Sequence, residues 1–131
     1  MSIGGILLSV VSYMIIGSFW YSGAFLGKVW QKLVGLNMDT MDKDKMIKAV
    51  ISSAIAAFIM ATVLNYFIDE FEVETLIQAL IFGAMVWVGF SATTILITNS
   101  YQQKPILLTL VDGGYQLVSL LAMSAIQFYL I

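Results

Sequence analysis

Asp112 is the one charged residue between Pro105 and the C-terminal Ile131, and Tyr115 and Gln116 follow it by three and four positions. That spacing puts the three side chains on one helical face. An ionisable group inside a long apolar run costs about 2.5–3.5 kcal/mol at the centre of a membrane helix, so it marks a solute or ion pathway, a proton relay or a polar anchor. A second row, Trp87, Ser91 and Thr94, repeats the helical spacing in the preceding apolar run. These six residues form the candidate polar intramembrane site. Their chemistry is hydrogen bonding and the attraction of cations, without a nucleophile.

The depth of Asp112 depends on where its helix begins. Counted from Pro105, seven residues place it about 10 Å along the helix. If the span is instead Gly113–Ile131, Asp112 lies at the boundary. Transport or coupling, a structural polar anchor and a simple interface position are all consistent with the residues.

The rest of the composition narrows the chemistry. The chain has no histidine and no cysteine, and all six of its basic residues are lysines. Imidazole bases, Ser-His or Cys-His nucleophiles, the usual zinc sites and disulfides are thereby excluded. No enzyme activity and no cofactor is expected. No basic patch interleaved with aromatics suits nucleic acid.

Elements that could position such a site follow from hydropathy. The 131 residues are 60% hydrophobic and 11% charged, with a mean hydropathy of +0.94. Soluble domains carry about 25% charged residues. Crossing the hydrocarbon takes about 20 mostly apolar residues, and each span must be a helix to satisfy its own backbone. Four segments qualify, at about 3–24, 47–68, 75–98 and 106–130. The expected fold is an all-α, integral membrane four-helix bundle, a single domain over 1–131. Residues 1–24 lack the positive n-region and short core of a signal peptide, so they are read as a span.

Lysines set the expected orientation. Lys28, Lys32, Lys43, Lys45 and Lys48 lie between the first and second spans, and Lys104 lies between the third and fourth. The intervening "DEFEVE" segment, Asp69–Glu74, has four acids and no lysine. Positive residues stay cytoplasmic, so both termini are expected outside the cell or inner membrane of a prokaryote.

The stretch "FLGKVWQKLVGL" sorts Phe25, Val29, Trp30 and Leu33 onto one half of a helical wheel and Lys28, Gln31 and Lys32 onto the other. It predicts an interfacial helix over about 25–36. Trp20, Tyr21, Lys28, Trp30 and Lys32 are its expected anchors, with Gly23 and Gly27 allowing the bend. Asp39 is read as the cap of the following helix. Pro105 suits the first turn of the last one.

Within the spans, small and polar residues gather on single faces. The first has Gly5, Ser9, Ser12, Tyr13 and Trp20. The second has Ala49, Ser52, Ser53, Ala56, Ala57 and Met60. The third aligns Gly83, Trp87, Ser91, Thr94, Thr98 and Tyr101. The fourth adds Ser119, Met123 and Gln127 to the Asp112 row. Such faces join helices in lipid, and a homo-oligomer surrounded by membrane lipids is expected. The alternative is a small transporter or channel for cations or amphipathic solutes with Asp112 near the path. Four-helix multidrug transporters of similar length place a carboxylate in the first helix, which here has none.

Three stretches, "GSFWYSGAFLGKVWQKLVG", "FGAMVWVGFSATT" and "DGGYQLVSLLAMSAI", resemble the signature regions of an uncharacterised prokaryotic membrane family, domain of unknown function 1761. The family pattern Gly-x-x-Trp-Tyr followed by Phe-Gly-Lys-x-Trp is similar to Gly17, Trp20 and Tyr21 followed by Leu26, Gly27, Lys28 and Trp30, with Leu26 in place of Phe. Its Trp-x-Gly-Phe corresponds to Trp87, Gly89 and Phe90, and its Gly-Tyr to Gly114 and Tyr115. Where the family often has Asn before its two glycines, this chain has Asp112. The resemblance implies a four-helix membrane fold and no activity.

Overall fold

The computed structural model describes residues 2–131. The elements are α1 (Ile3–Trp20), α2 (Gly27–Val34), a 3-10 turn (Met38–Thr40), α3 (Lys43–Glu70), α4 (Leu76–Val86), a π-helical segment (Trp87–Ala92), α5 (Thr93–Tyr101) and α6 (Ile106–Leu130). Among the described residues, four helices are long and apolar enough to cross a membrane: α1, α3, the continuous Leu76–Tyr101 and α6. The fold is all-α, with the short amphipathic α2 between the first two of these helices.

The helix ends follow from local hydrogen bonding. Ser2 caps α1, its hydroxyl accepting from the Gly5 N–H at 3.1 Å. α1 stops at Trp20, where Phe25 and Gly27 N–H both turn back to the Ser22 carbonyl and Leu26 N–H to that of Trp20. This tight turn needs a glycine at 27, since a Cβ there would lie 2.3 Å from the Tyr21 carbonyl oxygen. The same turn delays the interfacial helix, which starts at Gly27 and not at Phe25. Gly35 ends α2 in the left-handed conformation, φ 75°, as helix C-caps favour. Asp39 is not the cap that its position suggests: Asn37 caps the 3-10 turn, and Asp42 caps α3 by accepting from Asp44 N–H.

α6 is the centre of the assembly. It packs along α1 and α4 and touches α3, α5 and α2, whereas the backbones of α3 and α4 stay apart and meet through Phe67 and Phe82. Its inner face is the most buried in the chain, from Leu108 to Gln127. The outer surface is apolar, including Phe90 at 77% and Met85 at 68% exposure. That distribution suits a hydrocarbon surround and not water.

Packing is tightest at the end opposite the lysines. The core of Ile6, Ala61, Leu64, Ile68 and Met123 joins α1, α3 and α6 there. Buried residues of α1 are confined to Gly5, Ile6 and Ser9, and those of α3 begin at Ala57. Towards the lysine end these two helices carry no buried residue, and they border a cavity there.

Candidate functional site

That cavity, of about 510 Å³, is bordered by α1, α2, α3 and α6, with Asp112 and Tyr115 on its wall. Tyr21 of the α1–α2 turn, Trp30 of α2 and Tyr115 of α6 set its geometry. The Tyr21 hydroxyl donates to Asp112 Oδ1 at 2.6 Å. Its ring meets Tyr115 edge-to-face at 5.3 Å and Trp30 at 5.4 Å, with interplanar angles of 83° and 70°. The Tyr115 hydroxyl donates to the Tyr13 carbonyl at 2.8 Å, and the Gln116 amide donates to the Tyr13 hydroxyl at 2.9 Å. Asp112, Tyr115 and Gln116 of α6 are thus tied to α1 and to its C-cap residue Tyr21.

Two indoles fix the same stretch of α6 from opposite sides. Trp20 Nε1 donates to the Val111 carbonyl at 2.9 Å, and Trp87 Nε1 to that of Gly113 at 2.8 Å. Gly114 lets the Trp20 ring close in, since a Cβ there would stand 3.0 Å from it. Gly17 on α1 has the same role for Tyr115, whose hydroxyl would lie 2.6 Å from an added Cβ. Short-range dipoles and rings, without a second charge, thus position the carboxylate.

The six residues of the candidate polar site do not converge. Asp112 and Tyr115 line the cavity described above. Ser91, Thr94 and Gln116 line an apolar groove of about 500 Å³ between α3 and the third span. Trp87 borders a third depression and is held to Gly113. On α6 the face divides between Asp112 with Tyr115 and Gln116, which open to different sides of the helix; on the third span the row is broken by the π segment. One extra residue in a helix turns every later position by about 100°, so the row beginning at Gly83 and Trp87 does not continue through Thr98 and Tyr101. Both of those are exposed, and Asn99 instead is buried and donates to Thr109 Oγ1 at 3.1 Å. Thr93 and Thr94 hydroxyls donate to the Gly89 and Phe90 carbonyls, at 3.0 and 2.6 Å. They cover backbone acceptors of the π turn, as a lipid-facing bulge requires.

The proposed anchors divide as well. Lys28 and Lys32 are exposed on α2. Trp20 and Tyr21 turn inward to α6, and Trp30 meets Tyr21 edge-to-face beside the cavity. Sequence reasoning placed Tyr13 on a polar face without its bonds to Tyr115 and Gln116. It also left unremarked the methionines of the cavity, Met14, Met38 and Met46. No spacing rule pairs residues a hundred positions apart.

A separate polar cluster closes the opposite end. Gln127 Nε2 donates to Ser9 Oγ and to the Ala61 carbonyl, each at 3.0 Å, and Ser2 N–H donates to Asn65 Oδ1 at 3.3 Å. Ser9, Asn65 and Gln127 are fully buried.

All-α architecture, four long apolar helices and an apolar exterior define a multi-pass membrane protein. The family model described as Protein of unknown function (DUF1761) matches residues 5–128, and the chain belongs to that family. No curated protein and no solved structure matches it.

Proposed function

We propose that the protein is a small transporter in the cell membrane of a prokaryote, binding cationic solutes at Asp112 without catalysing a reaction. One observation carries this reading: the carboxylate stands on the wall of a largely apolar cavity, and the partner it is given is the neutral hydroxyl of Tyr21. A hydroxyl donor stabilises a carboxylate without cancelling its charge, so the cavity favours a cation. In proteoliposomes, Asp112→Asn should reduce uptake of a fluorescent organic cation at least about tenfold, equivalent to about 1.4 kcal/mol. Unchanged uptake removes Asp112 from any transport role.

The lysine-bearing connections face the cytoplasm in this proposal, and the acidic turn faces outside. The chain has no cysteine, so Glu70→Cys supplies a single thiol on the outer turn. An impermeant maleimide added to intact cells should label it. Absence of labelling there, with labelling after lysis, reverses the orientation.

A homo-oligomer is proposed alongside. Ser52 and Ala56 are small, exposed and one turn apart on α3, and such pairs let helices approach closely in lipid. Ser52→Cys should give a dimer on mild oxidation in membranes, and a persistently monomeric product argues against α3 as the contact.

A further inference from the structure

We infer that the ligand of the Asp112 cavity is an organic cation with an apolar body, and not an inorganic ion; this rests on the reading of Asp112 as a cation site. An inorganic ion must exchange its hydration shell for protein oxygens, about six for sodium-like and divalent ions. The cavity offers it one carboxylate and a few hydroxyls, short of six oxygens: those of Tyr21, Ser18 and Tyr115 already donate to Asp112, the Met14 carbonyl and the Tyr13 carbonyl, and Ser53 adds one more. Among the described residues, no group of three or more His, Cys, Asp or Glu side chains gathers anywhere.

What the cavity does offer is rings and thioethers. Tyr21, Trp30 and Tyr115 stand edge-to-face around the carboxylate, and aromatic faces attract ammonium and phosphonium centres too weakly hydrated to need an oxygen cage. Met14, Met38 and Met46 come from three different segments, α1, the 3-10 turn and α3. Unbranched and polarizable, methionine adapts to ligands of irregular shape. The volume of about 510 Å³ falls within the range of small-molecule sites, about 300–1,000 Å³.

Position completes the argument. The cavity lies level with the end of α1 and is bordered by α2, which carries Lys28 and Lys32 on its exposed side. A solute with a charged head and apolar body partitions to that same depth of a bilayer, where Ala49 and Val50 of the cavity wall are exposed. The carboxylate takes the charge, and Met46, Ala49 and Val50 of α3 take the body.

Equilibrium dialysis of the full chain in nanodiscs tests this with three probes: tetraphenylphosphonium, rubidium and the neutral triphenylphosphine oxide. Tetraphenylphosphonium should bind saturably, at least about tenfold tighter than the neutral probe. Asp112→Asn, which keeps an acceptor for Tyr21, should remove that advantage. Trp30→Leu, outside the long helices, should weaken tetraphenylphosphonium by about three- to tenfold, the size of a cation–aromatic contact. Saturable rubidium binding that depends on Asp112 overturns the organic-cation inference and leaves the cation site standing. Loss of Asp112 dependence for both cations overturns the site as well. A Trp30→Leu protein that binds tetraphenylphosphonium like the parent overturns the aromatic part.

Discussion

Gly83→Leu should separate the third span from α6 and lower the stability of the purified protein by about 3 kcal/mol, the upper end of overpacking costs. The reason is local. A Cβ at this position would stand 2.5 Å from Ser124 Oγ and 3.1 Å from the Leu120 carbonyl oxygen. The serine hydroxyl can rotate away, but the carbonyl belongs to the α6 backbone and can retreat only with the helix. Gly83→Ala therefore costs less, about 1 kcal/mol, while a leucine must push the two helices apart. Titration with a denaturing detergent, followed by circular dichroism, reads the difference. Gly89 provides the control: a Cβ there has nothing within 4 Å, so Gly89→Ala should leave the midpoint unchanged. A Gly83→Leu protein as stable as the parent would mean that this approach of α4 to α6 is not tight.

Much of this architecture was legible because lipid imposes a simple rule. Uncharged runs near 20 residues long leave few options, and all four spans follow from them. The amphipathic α2 was legible for a related reason: Lys28 and Lys32 recur at i and i+4 against Val29, Trp30 and Leu33. Contacts between helices were a different matter. Trp20 and Tyr21 look alike as belt residues or as donors to a neighbouring helix, since an aromatic with a polar tip suits either place. The outcome depends on the Gly27 turn and on the access that Gly114 leaves to Trp20. The third-span row of the candidate site failed for a more specific reason. Extending a 3.6-residue period from Gly83 to Tyr101 assumes a regular helix, and "WVGFSA" carries no proline to warn of the π turn between Trp87 and Ala92. Asn99, rather than Thr98, then reaches α6.

A second large effect should come from Gln127→Ala, with a stability loss of about 2–4 kcal/mol. Gln127 is fully buried and ties α6 to Ser9 of α1 and to Ala61 of α3. Two effects compete in that number. Interhelical hydrogen bonds in membrane proteins average only about 0.6 kcal/mol each, because the helices find other partners when separated. Emptying a packed site costs more, typically about 2–5 kcal/mol for a large-to-alanine change. The volume effect should therefore dominate, and Gln127→Leu distinguishes the two. Leucine restores most of the volume and removes Gln127 Oε1, an acceptor without a protein partner. The Ser9 hydroxyl can then turn to a carbonyl one turn back on its own helix, and the Ala61 carbonyl stays within α3. Gln127→Leu should accordingly cost about 1 kcal/mol or less. A loss as large as that of alanine would assign the stability to the amide bonds themselves. With leucine tolerated, the buried amide serves instead to set the rotation of three helices about one another, an arrangement that apolar contacts alone leave free to slip.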